Sequence, residues 1–130
     1  MKKAFFVMLL LLMSTVSPCS AESWQLVGSE LGTDRDYYVD FDSAWSDNLV
    51  NGGGLAKIQS KDTGYSVILS LRFVSDQSEV FDVAFSNGKA YGPDGNLLYE
   101  TDLNLRHHAE ADSILSKVCS AMKNISESKI

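Results

Sequence analysis

The chain has 130 residues, and its 17 acidic side chains outnumber its 11 Lys and Arg, which gives a formal net charge of −6 at pH 7. The length suits one ordinary domain. The charge balance argues against nucleic acid and anionic lipid as partners, because both are bound through clustered Lys and Arg. A solvated acidic exterior or a basic partner surface fits the charge better.

The N-terminus has the layout of a cleavable secretory signal. Two lysines precede an uninterrupted apolar run, Ala4 to Met13, and polar or small residues follow it up to Ala21. At about ten residues, the run is well short of the roughly 20 that span a bilayer as a helix. Residues 1–21 are therefore predicted to be a signal peptide and residues 22–130 one exported domain. Because the signal holds two Lys and no acid, the mature net charge is −8.

The predicted cleavage position determines which of the two cysteines remains in the mature chain. Cleavage after Ala21 discards Cys19 and leaves Cys119 alone, which excludes an intramolecular disulfide. Cys119 is then either buried and inert or paired with another molecule. The alternative is that Cys19 is the lipidated residue of a lipoprotein. Pro18 argues against this, because proline fixes φ and lacks an N–H beside the scissile bond.

Apolar alternation predicts strands through the first half of the domain. Trp24 to Val27 is the first strand and Tyr37 to Phe41 the second. Asp42-Ser43 predicts a turn or a short helical start, since both side chains can cap backbone N–H groups. Asn51 to Gly54, which holds three glycines, predicts a flexible connection into a strand at Leu55 to Gln59.

The second half continues with strands and closes with a different period. Ser66 to Phe73 and Val80 to Phe85 alternate most clearly, and Ser86-Asn87-Gly88 predicts a turn or a bulge. Gly92 to Gly95 predicts a reverse turn before a last strand at Asn96 to Thr101.

The remaining apolar residues follow a helical period. One stripe is formed by Ile114, Leu115, Val118, Cys119 and Met122. Acids near the start of this helix and lysines towards its end are predicted to complement its dipole; they are Glu110, Asp112, Lys117 and Lys123. Strands joined by short turns and closed by one amphipathic helix predict an α+β fold, with an antiparallel sheet and the helix packed on one face.

No group of residues predicts a catalytic, cofactor or metal site. His107-His108 with Glu110 and Asp112 is the cluster that comes nearest to a metal site, but its spacing matches no known ligand set, and a solvated loop is expected. Asp40 and Asp42 are expected to lie on the solvent face of an edge strand or to lead into a cap, and a capping role is expected for Asp42 or Ser43 in place of acid–base chemistry. The place of Cys119 on the apolar stripe predicts a buried thiol of ordinary or raised pKa.

Five aromatic residues have two interpretations. They form either an exposed recognition patch, since Tyr and Trp are enriched at interfaces, or the rim of the core. The residues are Tyr38, Trp45, Tyr65, Tyr91 and Tyr99.

Taken together in this order, the segments resemble the surface-adhesin protein E family of small exported Gram-negative proteins. The resemblance covers about residues 24–123. The segments that carry it are Trp24 to Gly28, Tyr37 to Ser43 (similar to the family's "yyvDxxS"), Val80 to Asp82, the turn at Gly92 to Gly95, and the helix with Val118-Cys119. It implies a roughly six-stranded antiparallel sheet with a C-terminal helix on its concave side.

The resemblance also implies where a disulfide is missing. In many members a disulfide ties the helix to a strand, and Cys119 matches the helix cysteine. The strand cysteine normally follows an aspartate, and Val83 follows Asp82 here. A packed Val83–Cys119 contact is therefore expected without the covalent tie, which is worth about 3 kcal/mol for a loop of some 35 residues. The family's usual Pro-Gly before the helix is replaced by His107-His108.

The function implied by the resemblance is a non-enzymatic binding or adhesion module in the periplasm or at the outer-membrane surface. Its expected partner is a host extracellular-matrix protein or an envelope protein, and some members form dimers. The alternative is a periplasmic assembly, stress or inhibitor protein that holds another envelope protein through a sheet edge or an aromatic patch. No cofactor, nucleic acid or transmembrane helix after signal cleavage is expected.

Overall fold

The structure is a computed structural model that describes residues 23–47, 50–75 and 80–129. The predicted signal peptide, with Cys19 and the cleavage position after Ala21, lies outside the described residues. The described part confirms the predicted α+β class, an antiparallel sheet with one C-terminal helix packed against it. The elements are β1 (Trp24–Ser29), β2 (Arg35–Asp40), β3 (Trp45–Asp47), β4 (Asn51–Ser60), β5 (Ser66–Ser75), β6 (Phe81–Tyr91), β7 (Leu97–Ala109) and α1 (Ile114–Ser128).

The sheet is a simple meander. Six strands follow the order β1-β2-β4-β5-β6-β7, and each neighbouring pair is antiparallel. The seventh strand, β3, pairs with β4 at Asn51 to Gly53, beyond the stretch of β4 that pairs with β2. Along the chain, each strand of the main order is therefore followed by its neighbour in the sheet, with β3 lying between β2 and β4 in sequence. The two ends of the main order, β1 and β7, are its edges.

The glycines of Asn51 to Gly54 lie in β4, so the predicted flexible connection is wrong. Gly52 and Gly53 are buried and pair with β3 on one side and β5 on the other. A Cβ at Gly52 would lie 2.3 Å from Phe73 Cζ and 2.7 Å from the Trp45 carbonyl oxygen. Glycine is thus required here because a core ring and a neighbouring strand occupy the space of a side chain.

The last strand is longer than predicted and includes the two histidines. It continues past Thr101 to Ala109, so the predicted solvated loop at His107-His108 is wrong. The continuation is held by β6, where Val83 pairs with His107 and Phe85 with Leu105. Ser86-Asn87-Gly88, for which both a turn and a bulge were open, is a bulge inside β6.

Asp40 is buried, which contradicts its expected place on the solvent side of an edge strand. The side chain lies at the end of β2 and is 3% exposed. Its Oδ1 accepts hydrogen bonds from the backbone N–H groups of Ser23 and Asp42, both at 3.2 Å. The carboxylate therefore closes the turn that follows β2, as Asx side chains commonly do. The turn predicted at Asp42-Ser43 is confirmed.

The helix α1 begins directly after its cap. Ser113 is the N-cap, and its Oγ accepts a hydrogen bond from Ser116 N at 3.1 Å. Glu110 and Asp112 precede the helix, and its last turn holds no basic residue, so the predicted complement to the helix dipole is wrong. No helix in the described part of the chain combines the length and apolar character needed to cross a bilayer.

The helix lies over the half of the sheet formed by β1 to β4. Its buried residues Val118, Cys119 and Met122 join one core with Phe73, Phe81 and other sheet residues. The Phe73 and Phe81 rings meet edge to face, with centroids 5.3 Å apart. Because the helix covers only part of this sheet face, some apolar side chains of β5 to β7 on the same face are left incompletely covered, among them Leu69, Phe85 and Leu105.

Candidate functional site

An open apolar groove lies between the first turns of α1 and the helix-facing side of the sheet. We call it the helix–sheet groove; its volume is about 980 Å³. The apolar side chains that line it come from β4, β5, β6, β7 and α1, and the main ones are Ile58, Leu69, Leu71, Phe85, Leu105 and Leu115. The groove is larger than two other depressions of the described surface, which have volumes of about 580 Å³ each.

Strand register brings these side chains together from distant parts of the sequence. Leu71 pairs with Phe85, and Phe85 pairs with Leu105, so the three form one row across three strands. In the next row Leu69 pairs with Gly88, and a Cβ at Gly88 would lie 3.2 Å from Leu103 Cδ1. The glycine lets Leu69 and Leu103 approach each other over the β6 backbone. Leu105 remains 57% exposed, and in the described part of the sheet β7 is the last strand on this side.

Charged side chains of both signs form the rim of the groove, with acids at its helix end. Glu30, Glu110 and Asp112 lie near the start of α1, and Lys117 lies on α1. The Tyr37 hydroxyl donates a hydrogen bond to Glu30 Oε2 at 3.0 Å. Burial raises the pKa of Tyr37, and the hydrogen bond to Glu30 raises it further. The phenol is therefore a neutral donor that orients Glu30 at the rim.

The two histidines of β7 do not act together. They point to opposite faces of the sheet, as neighbouring strand residues do. His108 Nδ1 lies 2.9 Å from Asp82 Oδ1, and both side chains are largely exposed. No group of three or more His, Cys, Asp or Glu that could hold a metal occurs within the described ranges. The His107-His108 pair is thus divided between the groove side and the outer side of the sheet.

Cys119 is in the core. Its side chain is 0% exposed, and desolvation raises the pKa of its thiol to about 12. A thiol with such a pKa is protonated at neutral pH and is a poor nucleophile. Val83, which is 2% exposed, belongs to the same buried cluster. The specific Val83–Cys119 contact stays a prediction.

The five aromatic residues do not converge on one patch. Tyr38 belongs to β2, Trp45 to β3, and Tyr99 to β7 at the far edge of the sheet. Tyr38 is half-buried beside Lys57, whose Nζ lies 5.5 Å from the Tyr38 ring centroid. Trp45 borders another depression, of about 580 Å³, and the Arg72 guanidinium lies 5.8 Å from its ring centroid. These contacts are local stacking pairs.

The outer edge of β7 borders the groove, and sequence reasoning missed it. The strand has 13 residues, and Leu97, Leu98, Tyr99 and Leu105 are more than half exposed. A long strand edge with exposed apolar residues is uncommon in a monomer and pairs readily with another chain. The continued alternation of Leu103 and Leu105 after Thr101 was the signal for this extension.

Comparison of the chain with family models, with curated proteins and with solved structures finds no match. The resemblance to surface-adhesin protein E is therefore a prediction from residues alone. The helix–sheet groove and the free edge of β7 are the two features of the molecule from which a function can be inferred.

Proposed function

We propose that this chain is an exported, non-enzymatic protein-binding module of the cell envelope, and that the helix–sheet groove is its binding surface. The observation that carries the proposal is the open apolar lining of a groove that no element of the described chain fills. An apolar centre with a charged rim is the usual composition of a protein interface. The export part of the proposal is supported by the signal-like pattern predicted at residues 1–21.

The partner we propose is a polypeptide segment with apolar side chains and a basic flank. The apolar side chains would lie on Leu69, Phe85 and Leu105. The basic flank would face Glu30, Glu110 and Asp112 at the helix end of the groove. A net charge of −6 on the whole chain would also attract a basic partner over a distance. Such a segment could belong to a host extracellular-matrix protein or to another envelope protein.

A matched pair of substitutions tests the groove. Leu69 faces the groove, and Ile68 beside it on β5 points to the opposite face; both are half-buried. Leu69→Gln would place an amide under the docked segment, where an unpaired polar group costs roughly 1–3 kcal/mol. Affinity should then fall by about tenfold or more. Ile68→Gln should leave affinity unchanged.

The assay measures binding of the purified protein, expressed from its full coding sequence, to a panel of immobilised extracellular-matrix proteins. Binding that Leu69→Gln weakens and Ile68→Gln does not would support host adhesion through the groove. Absence of binding, together with a purely periplasmic location in cell fractions, would refute host adhesion and favour an envelope protein as partner. Intact mass spectrometry of the exported protein should give the mass of residues 22–130. A protein that retains residues 1–21 in the cytoplasm would refute export.

A further inference from the structure

We propose that the outer face of the sheet, the face away from α1, binds a small organic anion whose charged group lies between Arg72 and Arg106. The apolar body of this ligand rests against Trp45 and Val74. The site goes beyond the proposed function, because it lies on the opposite side of the sheet from the helix–sheet groove and takes a different class of ligand.

A row of directly opposite residues crosses the sheet from β3 to β7. Because opposite residues in antiparallel strands point to the same face, the whole row lies on one side of the sheet. That side is the outer face, since Leu71 and Phe73, the neighbours of Arg72 in β5, are both buried in the core that α1 completes. The members of the row, in order, are Trp45, Gly53, Arg72, Ala84 and Arg106.

Ala84 leaves a gap between the two arginines. Neighbouring strands are spaced by about 4.8 Å, so the Cα atoms of Arg72 and Arg106, which are two strands apart, are separated by about 10 Å. The single methyl group of Ala84, which stands between them, does not fill this space. Both arginines are exposed, and among the described residues neither forms an ion pair with a carboxylate. Two guanidinium groups can therefore donate to one carboxylate, sulfate or phosphate group from both sides.

Gly53 allows the indole of Trp45 to lie beside this gap. A Cβ at Gly53 would be 3.0 Å from Trp45 Nε1, so the indole lies over the glycine and a side chain there would displace it. The Trp45 residue is 38% exposed, and the Arg72 guanidinium lies 5.8 Å from its ring centroid, a contact that holds this guanidinium near the indole. Val74, two residues further along β5 on the same face, is 50% exposed. Trp45 and Val74 thus offer apolar surface next to the two positive charges.

The depression that these side chains line has the size of a small-molecule site. Its volume is about 580 Å³, and pockets for small ligands usually measure roughly 300–1,000 Å³. One carboxylate, that of Asp82, also lines it, but His108 Nδ1 lies 2.9 Å from Asp82 Oδ1, and Asp82 is two residues along β6 from Ala84. Because the whole chain has a net charge of −6, a long polyanion would be repelled by the rest of the surface. A ligand with one charged group therefore fits best.

Calorimetric titration of the purified protein, expressed from its full coding sequence, tests the site with α-naphthyl phosphate, α-naphthyl sulfate and α-naphthoate. The wild type should bind at least one of them, and the tightest identifies the preferred charged group. Neutral α-naphthol and inorganic phosphate should each bind about tenfold or more weakly than the preferred anion, because each lacks one half of the ligand. Added salt should weaken binding, since the arginines are exposed.

Substitutions on the outer face locate the binding. Arg72→Gln and Arg106→Gln should each weaken it by about tenfold or more, because each removes a charged donor. Ala84→Leu keeps both arginines but fills the gap between them, and it should weaken binding to a similar extent. Arg35→Gln, the same change at an exposed arginine of β2, should leave the affinity unchanged. Urea midpoints check that each variant is folded.

The groove variant Leu69→Gln separates the two binding surfaces, and it should bind the naphthyl anion like the wild type. No binding of any of the three anions by the wild type, equal affinity for naphthol, or binding that survives both arginine substitutions would overturn the proposal. Binding that Leu69→Gln weakens and the arginine substitutions do not would place the anion in the groove and overturn it as well. Matrix-protein binding is measured separately, so either proposal can fail while the other stands.

Discussion

Gly52→Ala should destabilise the protein strongly, although alanine is only one methyl group larger. The new Cβ would lie 2.3 Å from Phe73 Cζ, 2.8 Å from Phe73 Cε1 and 2.7 Å from the Trp45 carbonyl oxygen. Carbon atoms pack favourably at about 3.5–4.0 Å, so each of these contacts is repulsive. The Phe73 ring cannot move aside easily, because it is buried and packed edge to face on Phe81.

The expected loss of unfolding free energy is about 2 kcal/mol, in the middle of the roughly 1–3 kcal/mol range for overpacked cores. For a domain of this size, such a loss lowers the Tm by about 10 °C. The measurement is urea unfolding followed by tryptophan fluorescence, with thermal unfolding as a second probe. Gly28→Ala is the matched control, because its Cβ would meet only Ile114 Cδ1, at an ordinary 3.5 Å. Equal midpoints for Gly52→Ala and Gly28→Ala would refute the packing account and favour a flexible connection at Asn51 to Gly54.

Four further predictions concern Cys119, Asp40 and Lys129. Cys119 should resist thiol reagents at pH 8 in the native protein and react fully in denaturant, since burial raises its pKa to about 12; labelling at equal rates in both states would contradict this. The raised pKa also means that the folded state holds the thiol proton more tightly, so unfolding free energy should fall as pH rises from about 9 towards 12. Asp40→Ala should cost about 2 kcal/mol, because it removes the acceptor of two backbone N–H groups, and an unchanged urea midpoint would count against that role. Lys129→Ala should lower the unfolding free energy by about 1 kcal/mol. The Lys129 ammonium donates hydrogen bonds to the carbonyl oxygens of Asp42 and Ala44, at 3.3 and 3.1 Å, and lies 5.0 Å from the Phe41 ring centroid. Amide hydrogen exchange at the end of α1 should be faster in this variant than in the wild type.

Local apolar periodicity was enough to predict the elements whose buried face can be recognised in their own sequence. The strand at Ser66 to Phe73 and the helix stripe around Val118 and Met122 have one clear apolar face, and both are confirmed. The burial of Cys119 followed from its place on that stripe. These features need no knowledge of which strand lies next to which.

The misinterpreted segments depend on contacts between distant residues. The sequence suggests that Gly52 is a flexible residue. In the sheet, however, Phe73 of the neighbouring strand β5 lies directly opposite Gly52 and occupies the space of a side chain. The sequence suggests a solvated Asp40, but the pairing of β1 with β2 places the backbone N–H of Ser23 beside the Asp40 carboxylate. The apolar alternation of Leu103 and Leu105 was visible in the sequence, but the pairing with β6 was needed to show that β7 extends to Ala109 and forms an edge.

The helix–sheet groove could not be predicted at all from the sequence. Its existence depends on where α1 lies over the sheet, and the apolar stripe of the helix fits a central position equally well. Only the packing of α1 over β1 to β4 leaves Leu69, Phe85 and Leu105 incompletely covered.

The central claim, that the groove binds a partner protein, is tested most directly by site-specific photo-cross-linking in living cells. A photoreactive phenylalanine analogue is placed at position 69, inside the groove, or at position 68, on the opposite face of the same strand. The account predicts a discrete covalent adduct with another protein from position 69 and none from position 68. Adducts from neither position, or equally from both, would contradict it.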